Sequence, residues 1–296
     1  MPSTPTVTGR FAPSPSGPLH AGSLIAAVGS YLSARSRGGR WRLRLEDVDE
    51  GRVRAGAADV ILRQLEAMAL DWDGPVLTQS PRKAIYQEAL TALQTRGIAY
   101  PCACTRREIR GFGERYPGVC RQGLASGRRA RSWRLWVPET LPLWEDRFHG
   151  WQDTPAPQGD PILLRADGYF AYILACVVDD GEQGISEVIR GGDLRALTGT
   201  QRYLQSALEL PYPQYGHLPL LCNADGRKLS KSLGSPTWAG EPSQAWEETL
   251  RLLGWMTPAG LHGVPAVEWR DWALSRMAEG HPLYRITPLA AAAEQR

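Results

Sequence analysis

Two short segments of the chain carry the residue types that phosphate chemistry requires. Residues 18–23 read Pro-Leu-His-Ala-Gly-Ser and precede an apolar helical pattern, so His20 and Gly22 could meet a phosphate beside the positive end of a helix. Residues 228–232 read Lys-Leu-Ser-Lys-Ser and follow a turn made by Asp225 and Gly226. Two ammonium groups on one loop suit the leaving pyrophosphate of a nucleotide reaction. The two segments together predict a nucleotide-binding site.

The lysine segment is the stronger of the two signals. The chain has 34 basic residues, and Lys83, Lys228 and Lys231 are its only lysines. Two of the three lie within one five-residue loop, which indicates that lysine is specifically required there; an exposed surface loop is the alternative. The histidine segment is weaker by itself, because a helix-capping role would also account for His20.

Three of the five cysteines lie close together along the chain, at Cys102, Cys104 and Cys120. An odd number of cysteines and the absence of an export signal argue against a disulfide framework. Three soft ligands on a short segment are typical of a zinc site that lacks one ligand, although three reduced structural thiols are the alternative. The candidates for a fourth ligand are Glu108, Glu114, Tyr116 and His149.

Strand and helix patterns alternate through most of the chain. Such elements would hold the histidine and lysine segments in place. The first half carries strand patterns at 7–11 and 41–45 and helical patterns at 19–36, 55–69 and 82–96. After residue 161 the α/β pattern resumes, with strand patterns at 186–190 and 217–221 and helical patterns at 196–210, 244–253 and 271–278. Such alternation predicts an α/β fold with a parallel sheet covered by helices.

The order of these patterns predicts four parts. Residues 1–100 form the first half of a Rossmann-type core, 101–162 an arginine-rich insertion with the cysteines, 163–236 the second half with the lysine loop, and 237–296 a short helical C-terminal region. Hydrophobic residues make up 43% of the 296 residues and charged residues 22%, which excludes collagen-like, coiled-coil and mostly disordered chains. The sequence has no membrane-length apolar run or signal peptide, so we expect a cytoplasmic protein.

The positive charge is concentrated in one segment. The net charge is only +3, yet residues 101–134 contain nine arginines and two glutamates. Arginines supply most of the sequence-independent affinity for nucleic acids, so the segment predicts a contact with a polyanion. A solvated arginine-rich loop would account for the same pattern equally well.

The histidine and lysine segments together resemble the signature pair of class I aminoacyl-tRNA synthetases. Ser23 stands in place of the second histidine of that signature, as is common in the glutamyl branch. Residues 10–17 (Arg-Phe-Ala-Pro-Ser-Pro-Ser-Gly) and 44–49 (Arg-Leu-Glu-Asp-Val-Asp) also resemble motifs of this branch, and 177–180 with 188–192 resemble its second-half strand and turn. The resemblance implies a class I synthetase core of the Rossmann type.

The resemblance also implies a glutamate pocket. A glutamate ligand offers two carboxylates and one ammonium group, which call for arginines and an acid. By resemblance, Arg10, Ala12 and Ser14 line the pocket and Glu46 takes the ammonium, while Tyr172 and Arg190 surround the side-chain carboxylate. The implied ATP-binding residues are His20, Gly22, Ser23, Lys228, Ser230 and Lys231, of which His20, Lys228 and Lys231 are the catalytic ones.

One pocket position departs from ordinary glutamyl-tRNA synthetases. Cys176 stands where those enzymes carry asparagine, so we expect weaker polar contact with the amino acid. Only about sixty residues follow the lysine loop, too few for the anticodon-binding domain of the full-length enzymes. Within the branch, the chain therefore resembles the short paralogue that glutamylates queuosine in tRNA(Asp).

The short paralogue implies further properties. They include a structural zinc ion held by Cys102, Cys104, Tyr116 and Cys120, Mg²⁺ accompanying ATP, and glutamate activation without tRNA. The implied acceptor is tRNA(Asp) carrying queuosine, bound through its anticodon stem-loop, and we expect a monomer. The alternatives are a truncated synthetase that charges tRNA(Glu), a non-catalytic zinc-bearing RNA-binding relative, and a small-molecule nucleotidyltransferase.

Overall fold

The computed structural model describes residues 6–113, 115–153, 159–219 and 240–284. The lysine loop, with Lys228, Ser230 and Lys231, lies outside the described residues. The helices are α1 (Ala21–Arg35), α2 (Ala57–Ala67), α3 (Lys83–Thr95), α4 (Arg106–Gly111), α5 (Tyr172–Glu182), α6 (Arg195–Ala207), α7 (Pro242–Leu252) and α8 (Ala266–Ala278). The strands are β1 (Thr8–Phe11), β2 (Arg40–Leu45), β3 (Leu77–Thr78), β4 (Ala99–Cys102), β5 (Ser132–Leu135), β6 (Trp144–Asp146), β7 (Gly150–Gln152), β8 (Ile162–Leu164), β9 (Glu187–Gly191) and β10 (Gln214–Leu218).

The predicted parallel core is present as two sheets, β1-β2-β3 and β7-β6-β10-β9, in which every pairing except that of β6 with β7 is parallel. β1 pairs in parallel with β2, and β2 with β3. β10 pairs in parallel with β9 on one side and β6 on the other. The Ser186 backbone N–H donates to the Thr8 carbonyl, and the Thr8 N–H donates to Ser186 Oγ, which brings the start of β1 beside β9. The amino-terminal and carboxyl-terminal halves of the core therefore lie side by side.

Helix α1 covers this junction. Ten of the eleven residues from Leu24 to Ala34 are buried, and the helix packs against β1, β2 and β9. Gly29 gives the closest approach, because a Cβ atom there would lie 2.6 Å from a methyl carbon of Leu218 on β10. A helix that is apolar on almost every side is expected where both of its faces are covered.

The segment between the two halves contains two different pairings. β4, β5 and β8 form a small antiparallel sheet that carries Cys102 at its edge. β6 and β7 form a hairpin, and β6 joins the core sheet beside β10. Residues 101–162 thus contribute both a separate small sheet and an edge of the core.

Residues 177–180 lie in helix α5, so their interpretation as part of a strand and turn was wrong. The run from Ile173 to Asp180 is buried without interruption. A short continuous apolar run does not distinguish a buried strand from a buried helix by its periodicity. Residues 188–192, by contrast, do contain a strand, β9, followed by a turn.

Helices α7 and α8 pack against α1 and extend the main core. Trp246 and Trp269 are completely buried there, and their ring N–H groups donate to Met68 O and Ser243 Oγ. In the part of the chain that the structure describes, none of the helices combines the length and apolar character that crossing a bilayer would require.

Candidate active site

A cavity of about 750 Å³ opens at the carboxyl ends of β1, β2 and β9. Ligands in open α/β sheets bind at this edge, where the loops after the strands converge. The nine predicted glutamate- and ATP-binding residues within the described part of the chain all line this one cavity: Arg10, Ala12, Ser14, His20, Gly22, Ser23, Glu46, Tyr172 and Arg190. Residues that are as much as 180 positions apart in sequence therefore meet around one space.

His20 lies at the entrance to helix α1 and caps it. Its backbone is extended, and its Nδ1 accepts a hydrogen bond from the Ser23 backbone N–H at 3.3 Å. Ser23 Oγ lies 3.1 Å from His20 Nε2. Gly22 gives the ring its room, since a Cβ there would lie 3.2 Å from the ring carbon Cε1. His20 thus has the capping role considered for it and also lines the cavity; its contact with phosphate stays a prediction.

A buried network of four charged side chains adjoins the cavity, and two of its members, Arg10 and Glu46, line the cavity. Asp180 Oδ1 accepts from Arg10 Nε at 3.3 Å and from an Arg44 guanidinium nitrogen at 2.7 Å. The other terminal nitrogen of Arg44 donates to Glu46 Oε1 at 3.2 Å. All four side chains are at most 6% exposed. Two arginines and two carboxylates balance each other, so the network is neutral as a unit.

The two carboxylates of this network have opposite pKa shifts. Burial by itself would raise the pKa of Asp180, but the Arg44 and Arg10 guanidinium groups outweigh it and hold that pKa below its usual range. For Glu46 burial is the larger effect, and it raises the pKa despite the same two arginines. Asp180 is therefore a fixed anion, whereas Glu46 lacks full compensation and would gain from a further cation.

Arg190 lines the cavity, and its hydrogen-bond partners among the described residues are neutral. Its Nε donates to His217, and one terminal nitrogen donates to Thr198, Gln201 and the Leu194 carbonyl. No ion pair joins it to a carboxylate in the ranges that the structure describes. Its other terminal nitrogen, Nη1, is buried and has no hydrogen-bond partner among those residues. A buried guanidinium in this state is suited to an anionic ligand.

Tyr172 and Cys176 lie one turn apart on α5 beside this network. Burial raises the pKa of Tyr172 well above its usual value, so its hydroxyl stays protonated and can donate a hydrogen bond. Burial also raises the pKa of Cys176 to about 12, so the side chain is a neutral thiol. Its Sγ lies 3.5 Å from an Arg44 nitrogen and 3.6 Å from Asp180 Oδ2. Both contacts are weak compared with those of an amide.

Several residues of the site were not predicted from the sequence. Arg44 and Asp180 lie in segments that resemble motifs of the glutamyl branch, but the sequence predicted no role for either side chain. It also predicted no role for His217 or Asp146. Arg44 could have been found, because it alternates with apolar residues on β2 and shares the inward face of a strand with Glu46. No local signal distinguishes the other three from ordinary polar residues.

The cysteines also meet as predicted. The Sγ atoms of Cys102, Cys104 and Cys120 lie within 4.8 Å of one another and are buried. The Tyr116 hydroxyl lies 3.5 Å from Cys102 Sγ and 3.9 Å from Cys104 Sγ, while Cys104 and Cys120 are 3.6 Å apart. Tetrahedral zinc with bonds of about 2.0–2.3 Å would separate its ligand atoms by about 3.5–3.8 Å. These three separations lie close to the tetrahedral values, and the three thiols are near enough to one another to share one metal ion.

Comparison with known proteins identifies the family. Residues 6–263 match the family model described as class I tRNA synthetases (E and Q), catalytic domain. The glutamyl-Q tRNA(Asp) synthetase of Thiobacillus denitrificans is 49% identical over 274 residues, which cover 90% of this chain and 91% of the relative. That of Verminephrobacter eiseniae is 52% identical over 287 residues, covering 92% and 96%. The chain belongs to the glutamyl-Q tRNA(Asp) synthetase family. Membership makes it a ligase-type enzyme of the class I aminoacyl-tRNA synthetases.

Solved structures agree with this fold. The crystal structure of glutamate-tRNA synthetase from Elizabethkingia anophelis superimposes with a TM-score of 0.74 at 25% identity. That alignment covers 90% of this chain but 65% of the other chain. A glutamate tRNA ligase from Elizabethkingia meningosepticum, solved in complex with its amino acid, gives the same TM-score at 26% identity. The class I synthetase core predicted from the motifs is confirmed.

Proposed function

We propose that this enzyme uses ATP to convert L-glutamate into glutamyl-adenylate without requiring tRNA, and then transfers the glutamyl group to queuosine in tRNA(Asp). The observation that carries the proposal is the cavity. It contains a buried Arg190 that pairs with no carboxylate among the described residues, and it adjoins the neutral network of Arg10, Arg44, Asp180 and Glu46. The two relatives reported above carry the name of this activity.

Two of the three charged groups of glutamate have a complementary partner in the cavity, and the third, the α-carboxylate, is the group that reacts with ATP. The side-chain carboxylate would take the unpaired Nη1 of Arg190 and the hydroxyl of Tyr172, which stays protonated. The ammonium group would lie against Glu46, whose raised pKa reflects the incomplete compensation of its charge. Ala12 and Ser14 follow β1 at the mouth of the cavity and are small enough to leave room for the ligand. The side-chain amide nitrogen of glutamine is a donor and would face the donors of Arg190 and Tyr172. We therefore expect glutamine to bind more weakly than glutamate.

Activation requires only positioning and charge stabilisation by the protein. An α-carboxylate oxygen of glutamate attacks the α-phosphorus of ATP, the bond to the bridging oxygen breaks, and pyrophosphate leaves. We assign stabilisation of the growing negative charge to His20, Lys228 and Lys231, with Gly22, Ser23 and Ser230 contributing to ATP binding. Mg²⁺ would accompany ATP and neutralise part of the phosphate charge. No covalent protein nucleophile is needed.

The transfer step needs an RNA acceptor at the same cavity. A queuosine hydroxyl attacks the acyl carbon of the adenylate and AMP leaves. Seven arginines of the 101–134 segment are exposed, as a surface that holds phosphates requires: Arg106, Arg107, Arg110, Arg115, Arg128, Arg129 and Arg131. The indole of Trp136 is also exposed, and the Arg121 guanidinium lies 5.7 Å from its centroid. We assign the anticodon stem-loop to this surface.

The zinc ion would have a structural role. Cys102, Cys104, Tyr116 and Cys120 would hold it, and it would cross-link β4 to the segment before β5 in place of a larger core. Arg134 packs across the Tyr116 ring with its guanidinium carbon 4.0 Å from the centroid, and it fixes the ring orientation. In this proposal the zinc site lies within the insertion (101–162), between the two halves of the core (1–100 and 163–236), and a helical region (237–296) follows the core.

Acceptor specificity is tested by glutamyl transfer from radiolabelled glutamate. We expect label on tRNA(Asp) that contains queuosine at the wobble position of its anticodon. We expect no label on the same tRNA with unmodified guanosine at the wobble position. Periodate treatment, which cleaves the cyclopentene diol, should abolish the transfer. Labelling of tRNA(Glu) instead would favour a truncated synthetase, and RNA binding without ATP turnover would favour a non-catalytic relative.

A further inference from the structure

The side chains of Arg190, His217 and Asp146 lie across three adjacent strands. β9 and β10 pair in parallel with Arg190 opposite His217, and β10 pairs with β6 with Tyr215 opposite Asp146. Arg190 Nε lies 3.0 Å from His217 Nε2, and His217 Nδ1 lies 2.5 Å from Asp146 Oδ2. The three side chains are almost completely buried. The register of the sheet thus places a histidine between a cavity arginine and a carboxylate outside the cavity.

Only one state of the His217 ring fits both neighbours. Arg190 Nε always carries a proton, so His217 Nε2 must accept. Nδ1 therefore carries the ring proton and donates it to Asp146. The ring is also neutral, because burial lowers the pKa of His217 to about 4 despite the adjacent carboxylate. Thr198 Oγ1, 3.2 Å from Nε2, accepts from Arg190 and completes the cluster.

The orientation of the Asp146 carboxylate is fixed by hydrogen bonds from the backbone. Oδ1 accepts from the backbone N–H groups of Phe148 at 2.9 Å and His149 at 3.1 Å, in the turn between β6 and β7. Oδ2 is therefore the oxygen that faces His217. The turn holds the carboxylate, the carboxylate selects the ring tautomer, and the ring supplies the acceptor that orients the arginine.

We propose that Asp146 and His217 are positioning residues that set the specificity of the amino-acid pocket by holding the Arg190 guanidinium in orientation. This inference rests on the proposed function, since it assigns Arg190 to the side-chain carboxylate of glutamate. His217 fixes Nε, and Thr198 and Gln201 fix one terminal nitrogen. The remaining nitrogen, Nη1, is left for the substrate.

Asp146→Asn is the decisive variant. The two backbone N–H groups require an oxygen at the Oδ1 position, so the amide nitrogen is placed against His217 Nδ1. That nitrogen must then accept, the ring proton moves to Nε2, and two N–H groups face each other between His217 and Arg190. The side chain keeps its size and the turn keeps its hydrogen bonds, so a change in substrate affinity would not follow from loss of the turn.

A pair of substitutions at His217 separates the two hydrogen bonds. His217→Gln places an amide oxygen near the former Nε2 position and can still accept from Arg190. His217→Asn reaches only the former Nδ1 position and can contact Asp146 but not Arg190. The exposed His262, which contacts Glu247 outside the cavity, gives the control His262→Gln.

The experiment combines imidazole ¹⁵N NMR with ATP–pyrophosphate exchange in the presence of glutamate. The wild type should show His217 with its unprotonated nitrogen at Nε2, and Asp146→Asn should show it at Nδ1. The variant should raise the KM for glutamate about tenfold or more, as expected for a lost hydrogen bond to a charged group, and leave the KM for ATP within about twofold. His217→Asn should raise the KM for glutamate more than His217→Gln does.

The possible outcomes separate the two proposals. If the wild type exchanges pyrophosphate with glutamate but Asp146→Asn keeps both the wild-type tautomer and the wild-type KM, the positioning inference is wrong and the proposed function stands. Equal rises in both KM values would also overturn it, because they would reflect general damage to the fold. If the wild type does not exchange with glutamate at all, the proposed function fails, and the positioning of Arg190 for glutamate fails with it.

Discussion

The buried charged network beside the cavity leads to a specific prediction about stability. Asp180 accepts hydrogen bonds from two arginines and is 3% exposed. In Asp180→Asn the network changes from neutral to a net charge of +1, because Arg10 and Arg44 then face Glu46 alone. Removing one partner of a buried ion pair costs about 3–5 kcal/mol, and we expect the lower end because the amide oxygen still accepts one hydrogen bond. About 3 kcal/mol is a large part of a typical domain's stability of roughly 5–15 kcal/mol.

The assay is urea unfolding followed by tryptophan fluorescence and circular dichroism. Asp271→Asn is the matched control, because Asp271 contacts Arg270 at 2.8 Å but is 61% exposed, and exposed pairs contribute roughly 0–1 kcal/mol. At pH 7 the free energy of unfolding of Asp180→Asn should lie about 3 kcal/mol below the wild type, and that of Asp271→Asn within about 1 kcal/mol of it.

The pH dependence gives the sign of the effect. The pKa of Asp180 is lowered in the folded protein, so its contribution is fully present above the unfolded value, about 3.9, and is lost as the pH falls through the folded value. The difference between wild type and Asp180→Asn should therefore be constant above about pH 5 and shrink at lower pH. Two results would refute this prediction. One is an equal loss of unfolding free energy in Asp180→Asn and Asp271→Asn at pH 7, and the other is a difference between wild type and Asp180→Asn that grows as the pH falls.

Three further predictions concern the pocket and the zinc site. Arg190→Lys loses the planar fork for a carboxylate, so the KM for glutamate in pyrophosphate exchange should rise about a hundredfold while the KM for ATP stays within about twofold. Cys176→Asn puts an amide beside the pocket in place of a neutral thiol, and isothermal titration should find glutamate bound about three- to tenfold more tightly. Tyr116→Phe removes the proposed oxygen ligand, so zinc content by elemental analysis should fall below that of the wild type, and a chelator should remove zinc faster than from the wild type.

Each of these predictions has an outcome that contradicts it. An unchanged KM for glutamate in Arg190→Lys would mean that this residue does not bind the side-chain carboxylate. Weaker glutamate binding by Cys176→Asn would mean that the thiol is already the better partner. Full zinc content and unchanged chelator kinetics in Tyr116→Phe would leave three thiolates and a ligand other than Tyr116.

The sequence motifs predicted the cavity better than they predicted its supporting contacts. Arg10, Glu46 and Arg190 each lie in or just after a strand whose carboxyl end meets the same edge of a parallel sheet. The resemblance to the glutamyl branch supplied these residues, whereas the local strand, loop and helix patterns predicted only a parallel sheet covered by helices. The parallel pairing of β1 with β2 and the capping geometry of His20 follow from the same local patterns.

The positioning contacts depend on register between distant strands. Asp146 and His217 are 71 residues apart and become neighbours because β6 joins the core sheet beside β10. Nothing in the periodicity of a three-residue strand indicates its partner. For the same reason Asp180 could not be placed, since its role depends on whether 177–180 form a strand or a helix, and buried apolar runs of that length are compatible with both.

The most direct test of the central claim is ATP–pyrophosphate exchange by the purified enzyme with glutamate, aspartate or glutamine, with and without tRNA. We predict exchange with glutamate alone, at the same rate whether or not tRNA is added. Exchange that appears only with tRNA(Glu) would contradict tRNA-independent activation, and no exchange with any amino acid would contradict the assignment of the cavity to glutamate and ATP.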